Sequence, residues 1–128
     1  MEFKMSENGM DVDLEYGTLH ISGKSEFGFR PFQLLVASIS SCSAMVFRKI
    51  LEKQRITIDD LRVKANVTRN PDKVNRIEKI ELHFIVIGKN LNENKLIKNL
   101  HLARKNCAMV RSVEDSINIE ESLECVHV

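Results

Sequence analysis

Three cysteines carry the clearest chemical potential in this 128-residue chain: Cys42, Cys107 and Cys125. A thiolate is a nucleophile, and its oxidation to a sulfenic acid, followed by condensation with a second thiol, gives a disulfide. The odd number and wide spacing of the cysteines argue against a secreted disulfide framework. Spacings typical of metal ligands, such as CxxC or HExxH, do not occur, so we expect no structural zinc site. Each of the three cysteines is therefore expected to be a free thiol.

Cys42 lies in the most apolar stretch of the chain, LLVASISSCSAMVF, which carries no charge from residue 34 to residue 47. Cysteine is a small hydrophobe that is often buried, so a packed core cysteine is one interpretation. A redox thiol shielded by apolar neighbours is the other. Considered without the rest of the chain, this stretch favours the core residue.

Composition limits the class of protein. Hydrophobic residues make up 43% and charged residues 29%, as in ordinary globular domains, and the length suits a single domain spanning residues 1–128. The net charge of +1 gives no general attraction to nucleic acid. The longest uncharged run, residues 31–47, is shorter than the roughly 20 residues of a membrane span. The first residues lack the apolar core of a signal peptide, so we expect a cytoplasmic protein that binds neither membrane nor nucleic acid.

The N-terminal third reads as short strands and turns. Strands are predicted near residues 2–7, 10–16 and 18–22, with Asn8-Gly9 as a tight turn between the first two. The following residues, 23–29, contain two glycines and are predicted to form a loop.

Pro31 suits the first turn of a helix, where its missing N–H is not needed. Apolar side chains follow at helical spacing: Leu34, Leu35, Ile39, Cys42, Val46 and Ile50. The faces between them are also apolar, which predicts a central helix buried nearly all round. Basic residues between 48 and 55 suit the negative end of the helix dipole. Cys42 is therefore expected in the middle of a buried central helix.

The remaining sequence predicts two strands, a helix, a short connecting piece and a final strand. Alternating apolar residues predict half-buried strands over 61–68 and 76–87, joined by the Asn70-Pro71-Asp72 turn into a hairpin; a slip in the second pattern indicates a bulge. Asn92 is a plausible N-cap for a helix over 93–106 that ends beside Cys107. A short helical or irregular piece over 109–114 and a strand over 117–128 complete an α+β domain.

Two segments carry a family resemblance. The helix reading PFQLLVASISSCSAMVF is followed by a helix ending ARKNCAMVRS, and the second cysteine comes sixty-five residues after the first. With the strand-rich start, the hairpin and the closing strand, this resembles the OsmC/Ohr superfamily of small cytosolic thiol proteins over most of the chain. The resemblance implies an OsmC-like fold, an intertwined homodimer with two active sites at its interface, and no metal or organic cofactor.

The resemblance also implies an activity. Members of that superfamily with demonstrated activity reduce organic hydroperoxides, with one cysteine attacking the peroxide and a second resolving the product. Carried over to this chain, Cys42 is the peroxidatic thiol and Cys107 the resolving thiol. A dithiol reductant would restore the pair by exchange.

The residues around the thiols depart from the best-studied members. Those use an N-terminal arginine held by a glutamate ten residues before the cysteine. Here no arginine precedes Arg30, and a phenylalanine occupies the glutamate position. A second branch has a glutamate nine residues before the cysteine, where this chain has Gln33, and reads Cys-Pro-Val-His-Arg at the second cysteine, of which this chain keeps Arg111. Gln33 and Arg111 are therefore predicted to support the site, with Lys24 or Arg30 as weaker candidates for the activating cation.

Two alternatives stay open beside the peroxidase. A non-catalytic dimeric domain of the same fold could bind a small apolar molecule at its interface, and a redox sensor could use the same disulfide as a signal. Cys125 lies in the alternating pattern of the last strand and is expected to be inert. The scattered histidines show no ligand spacing and are expected to be ordinary strand or helix residues.

Overall fold

Six strands and three α-helices follow one another in the computed structural model, which describes residues 1–128. In chain order they are β1 (Phe3–Met5), β2 (Met10–Asp13), β3 (Thr18–Ile21), α1 (Pro31–Lys53), β4 (Asp60–Asn70), a 3-10 turn (Pro71–Lys73), β5 (Arg76–Gly88), α2 (Glu93–Asn106), α3 (Ala108–Val113) and β6 (Asn118–His127). The predicted α+β class and element order are confirmed. Contacts within the chain define two units, residues 1–37 and 38–128.

The first unit is an antiparallel three-stranded sheet in the order β1-β2-β3. Its first turn is the predicted one, closed by the Ser6 N–H donating to the Gly9 carbonyl at 2.9 Å. A side chain on Gly9 would lie 1.9 Å from the carbonyl oxygen of Ile21, so only glycine allows the backbones to approach this closely. The Ser22 hydroxyl donates to the Asn8 carbonyl at 2.6 Å and ties the third strand to this turn.

Helix α1 buries one stripe of its surface rather than all of it. The buried residues recur every fourth position: Ile39, Ser43, Phe47 and Leu51. Met45 is 60% exposed, so the prediction of a helix buried nearly all round is wrong for the single chain. The reason is that this small domain covers only one face of the helix, although the sequence is apolar on several.

By length and composition alone, α1 is also long and apolar enough to cross a membrane. Central helices of water-soluble proteins often have the same length and apolar composition.

The second unit is built on the sheet β4-β5-β6. Strands β4 and β5 form the predicted antiparallel hairpin, while β6 runs parallel to β5 after the crossover through α2 and α3. The predicted bulge is present: Thr68 pairs with Lys79 and Arg69 with Ile77, which leaves Glu78 as the extra residue of β5. This crossover contains all of α2 and α3, with Cys107 between the two helices.

The core of this unit lies between the inner face of β5 and the helices. Its largest fully buried side chains are Phe47, Phe84, Ile39, Leu51, Ile80, Leu82, Leu96, Val86 and Val110. The rings of Phe47 and Phe84 meet edge to face, with centroids 5.8 Å apart and planes at 70°. This contact joins α1 to the central strand of the sheet.

The β4–β5 connection contains a strained valine. Val74 has φ 50° and is 95% exposed, and Asn75 follows at φ 57°. The left-handed conformation costs an L-residue about 1–2 kcal/mol and is least suited to a β-branched side chain. We expect Val74→Gly to raise the free energy of unfolding by about 0.5–1 kcal/mol, after the entropy cost of glycine. Urea denaturation measures this change; Val67→Gly, within β4, should instead lose stability, and a loss at both positions would contradict the strain.

Candidate thiol site

Cys42 and Cys107 are brought together by the packing of α1 against the α2–α3 junction. Cys42 is half-buried on α1, whereas Cys107 is fully buried. The Cys42 thiol lies close enough to Cys107 to raise the pKa of the Cys107 thiol, and all three cysteines of the chain are unpaired. Residues sixty-five positions apart in sequence thus form one pair of adjacent sulfurs.

Cys107 has a double role in the backbone. It ends α2, where its N–H donates to the Arg104 carbonyl at 3.4 Å, and it is the N-cap of α3. Its own carbonyl accepts the N–H of Arg111 at 3.0 Å. The sequence predicted only the end of α2, where the helix dipole disfavours a thiolate; the start of α3 adds backbone N–H groups, which favour one.

Burial raises the pKa of the Cys107 thiol. The backbone N–H of Val110 opposes this and lowers the pKa, while the adjacent Cys42 thiol raises it further by its hydrogen bond and its charge. The net direction is upward, so Cys107 is held as a protonated thiol at neutral pH. Cys42 is the more accessible of the two thiols. Cys107 is buried beside it and keeps its proton.

The predicted supporting residues lie in different surroundings. Arg111 is mostly exposed; its Nε is 3.0 Å from Glu114 Oε1 and its Nη1 donates to the Lys105 carbonyl at 3.3 Å. Gln33 is exposed in the first turn of α1, within the first unit. The Arg30 guanidinium stacks over the ring of Phe32 at 4.7 Å. The predicted roles of Arg111 and Gln33 at the thiols stay predictions.

Two buried hydroxyls flank Cys42 in sequence. The Oγ atoms of Ser40 and Ser43 are inaccessible to solvent and have no hydrogen-bond partner. Such groups are costly in a core, so an unpartnered donor beside a reactive residue is notable. Sequence reasoning passed over both because serine in an apolar helix gives no signal of its own.

Cys125 lies on the inner face of β6, half-buried. Burial raises the pKa of its thiol, and the charge of Glu93 acts in the same direction. Both effects disfavour the nucleophilic thiolate. Nowhere in the structure do three or more histidine, cysteine or acidic side chains group closely enough to hold a metal ion.

The outward face of the sheet carries a hydrogen-bonded group of three polar side chains, which no sequence pattern predicted. His83 Nδ1 lies 2.6 Å from Ser122 Oγ, and His83 Nε2 lies 3.1 Å from Glu124 Oε1. The cross-strand register creates this group by pairing His83 with Ser122. It lies on the opposite side of the sheet from the buried face that packs on the helices, and it takes no part in the thiol site.

Glu121 is the acidic residue with the least favourable surroundings. Both of its carboxylate oxygens are buried without a hydrogen-bond partner. Burial raises the pKa of this carboxyl, and the Arg104 charge opposes the rise only in part. The Arg104 guanidinium is instead anchored to the Ile119 carbonyl at 2.6 Å. The carboxyl of Glu121 is therefore protonated more readily in the folded protein than it would be in water.

This environment predicts a pH-dependent stability. Because the folded pKa of Glu121 lies above its ordinary value of 4.5, the folded state binds the extra proton, and stability falls as the pH rises through this range. Glu121→Gln should therefore be more stable than the parent by about 1 kcal/mol at pH 7 and gain little below pH ~4.5. Urea denaturation across pH measures the difference. Glu52→Gln, at an exposed site on α1, should show no such trend; a pH-independent gain in Glu121→Gln would refute the interpretation.

Comparison with known proteins agrees with the observed fold. The family model described as OsmC-like protein matches residues 22–122. Protein YhfA of Escherichia coli K12 is 31% identical over 97 residues, which cover 75% of this chain and 72% of that protein.

Two solved structures illustrate the shared fold. A hypothetical protein from Aquifex aeolicus VF5 superposes with a TM-score of 0.88 at 26% identity, over 99% of this chain and 95% of the other. A Legionella pneumophila protein described as an organic hydroperoxide resistance protein OsmC, predicted redox protein and regulator of sulfide bond formation superposes with a TM-score of 0.72 at 16% identity, over 96% and 93%.

Proposed function

The chain belongs to the OsmC-like protein family, some of whose relatives in fold are organic hydroperoxide resistance proteins, and on that premise we propose that it is a thiol-dependent peroxidase. Its substrates are organic hydroperoxides, and Cys42 and Cys107 carry the reaction. The observation that supports this most directly is the contact between the half-buried Cys42 thiol and the fully buried Cys107 thiol.

The different burial of the two thiols supports different roles for them, attack for Cys42 and resolution for Cys107. The attacking sulfur must meet a peroxide that arrives from outside, and Cys42 is the accessible member of the pair. The resolving sulfur needs only to meet the oxidised Cys42, so complete burial of Cys107 is no obstacle. A raised pKa keeps Cys107 protonated until the sulfenic acid forms beside it.

The proposed cycle balances without a cofactor. The Cys42 thiolate attacks the distal oxygen of R–O–O–H, the O–O bond breaks, and the alcohol R–OH leaves after taking up a proton. Cys42 is now a sulfenic acid, and the Cys107 sulfur displaces its hydroxyl as water to form the disulfide. A dithiol reductant then exchanges with the disulfide, becoming oxidised as both protein thiols are restored. One hydroperoxide is reduced for each dithiol consumed.

We also propose that the working form is a cytoplasmic homodimer. Large apolar side chains are exposed in the single chain: Phe3, Met5, Met10, Leu14, Tyr16, Phe27, Phe29, Leu35 and Met45. Apolar exposure on this scale is typical of a surface that another molecule covers. Light scattering on the purified protein should give twice the 14.7 kDa of the chain; a monomer at micromolar concentration would argue against the dimer.

The direct test of the function is a thiol count. Fully reduced protein is mixed with a slight excess of cumene hydroperoxide, and free thiols are titrated under denaturing conditions. We expect the three thiols of the reduced chain to fall to one, with Cys125 remaining. Incubation with dithiothreitol should restore all of them. Retention of three thiols after exposure to micromolar peroxide would rule out the peroxidase.

A redox sensor is the second candidate, and one observation favours it. Arg111, the predicted activating cation, is engaged by Glu114 and by the Lys105 carbonyl. Without a cation the Cys42 thiol would react slowly, which suits a signal better than rapid turnover. Steady-state peroxide consumption distinguishes the two candidate functions. With dithiothreitol present, a peroxidase consumes peroxide continuously, whereas a sensor reacts once and is re-reduced slowly.

A further inference from the structure

A pocket of about 390 Å³ lies where the end of α1 meets the loop between β5 and α2. Arg55 and Thr57 line it on the side of α1, and Lys89, Asn90 and Lys95 line it on the side of the loop and α2. Three of its lining side chains are basic and none is acidic, so we call it the basic pocket. Its charge matches a multiply charged anion.

The cations of the basic pocket have no partner within the chain. Arg55, Lys89 and Lys95 are exposed, and none of them forms an ion pair. The acidic residues nearest in sequence lie outside the lining: Glu52, Asp59 and Glu93. Like charges that face one concavity repel each other unless an anion lies between them. The three charges are therefore available to a ligand.

Arg55 occupies a backbone position that glycine usually fills. The Ile56 N–H donates to the Leu51 carbonyl at 2.9 Å, and the Arg55 N–H donates to the Glu52 carbonyl at 3.0 Å. These are the two hydrogen bonds of a Schellman motif at the end of α1. Arg55 has φ 57°, a left-handed conformation that suits glycine and that arginine rarely adopts. Backbone preference does not explain an arginine here, whereas a use for its charge does.

The walls of the basic pocket are held in place by hydrogen bonds. The Asp59 N–H donates to the Ile87 carbonyl at 2.8 Å and ties the segment after α1 to the end of β5. On the other side of the loop, His127 Nε2 lies 3.3 Å from the Leu91 carbonyl oxygen. The pocket is thus preformed, and little ordering is needed when a ligand binds.

Polar groups and size narrow the class of anion. A phosphoryl group presents three strong acceptor oxygens, which suit three cations together with neutral donors. Thr57 and Asn90 supply a hydroxyl and a side-chain amide in the lining. Pockets for small organic molecules begin at about 300 Å³, so the volume of this one leaves room for a small polar group beside the phosphoryl group.

We propose that the basic pocket binds the phosphoryl group of a small phosphate ester, with the phosphate oxygens on Arg55, Lys89 and Lys95. This site is separate from the thiols. Helix α1 ends at Lys53, eleven residues beyond Cys42 and about 16 Å along the helix axis. Binding therefore needs no thiol chemistry and is independent of the proposed peroxidase.

Binding is tested by amide chemical shifts of the intact protein titrated with ribose 5-phosphate. Ribose is the matched neutral ligand, and inorganic phosphate is the bare ion. We expect ribose 5-phosphate to bind at least about tenfold more tightly than ribose, with the largest shifts at residues 55–57 and 89–95. Raising the salt from about 50 to about 300 mM should weaken it.

The two anions distinguish an ester from the free ion. Tighter binding of ribose 5-phosphate than of inorganic phosphate would confirm a phosphate ester as the ligand class, whereas equal affinities would overturn the ester in favour of the ion alone. Absence of binding by both anions, including absence because a second copy covers the pocket, would overturn the site. Shifts confined to other parts of the chain would do the same.

A double lysine variant separates a site from general charge attraction. Lys89→Gln/Lys95→Gln should weaken ribose 5-phosphate about tenfold. Lys64→Gln/Lys73→Gln removes the same charge from exposed positions on β4 and the 3-10 turn and is the matched control. It should change the affinity less than about twofold, because distant exposed charges are screened. An equal loss in both double variants would refute a specific site.

Arg55→Gly separates binding from stability. Glycine suits the left-handed position, so the urea midpoint of this variant should stay unchanged or rise, while ribose 5-phosphate should bind about tenfold more weakly. Arg55→Lys keeps the charge and should stay within about threefold of the parent affinity. A lower urea midpoint in Arg55→Gly would show that the arginine is structural, and unchanged binding in that variant would refute its role in the pocket.

Discussion

Replacing Cys42 with serine should abolish the reaction with organic hydroperoxides, reducing its second-order rate constant by more than about a thousandfold. A serine hydroxyl is almost never ionised at neutral pH and cannot form the sulfenic acid that the cycle requires. The measurement is a stopped-flow peroxide assay under single-turnover conditions. Because serine is close in size to cysteine and Cys42 is only half-buried, the fold should tolerate the change.

The matched variant Cys107→Ser should block the second step of the cycle, disulfide formation, and leave the first step, peroxide reduction, intact. We expect one peroxide to be consumed per chain at close to the parent rate, since Cys42 remains. The sulfenic acid should then persist long enough to be trapped by dimedone, and turnover with a dithiol should slow, because no buried thiol stands beside it. Cys125→Ser should match the parent in both phases.

A different pattern would assign the roles differently. If Cys107→Ser lost the first reaction while Cys42→Ser kept it, the buried thiol would be the attacking one, and the backbone N–H groups of Val110 and Met109 would be its activators. If both variants matched the parent, the two thiols would be a packed pair without chemistry.

Phe47→Ala should cost about 3–5 kcal/mol of the free energy of unfolding. Phe47 has no exposed surface and meets Phe84 edge to face, so truncation removes both apolar burial and the ring contact and leaves a cavity between α1 and β5. Domains of this size have only about 5–15 kcal/mol in total, so much of the variant should be unfolded near 50 °C. Urea denaturation followed by circular dichroism measures the loss.

Met45→Ala is the control on the same helix. Met45 lies two residues before Phe47 and is 60% exposed, so its truncation should change stability by less than about 0.5 kcal/mol. A loss below about 1 kcal/mol for Phe47→Ala would mean that the site collapses around the smaller side chain and that the ring contact does not anchor α1.

Local sequence patterns determined most of the secondary structure. Pro31 opens α1, Asn92 caps α2 by accepting the Lys95 N–H at 3.1 Å, and the slip in the apolar alternation places the bulge at Glu78. These features depend on neighbouring residues, through capping, the missing proline N–H and the two-residue period of a strand. The sequence reveals them because their physical causes are local.

Family resemblance pointed to the two thiols, whereas only the tertiary structure placed them in contact and made them unequal. Burial and the double capping role of Cys107 depend on how α2, α3 and α1 pack, and no spacing encodes that. The same holds for the pairing of Arg111 with Glu114, for the buried carboxylate of Glu121, and for the single buried stripe of α1. Each is set by surfaces distant in sequence, because desolvation and side-chain contact depend on the whole fold.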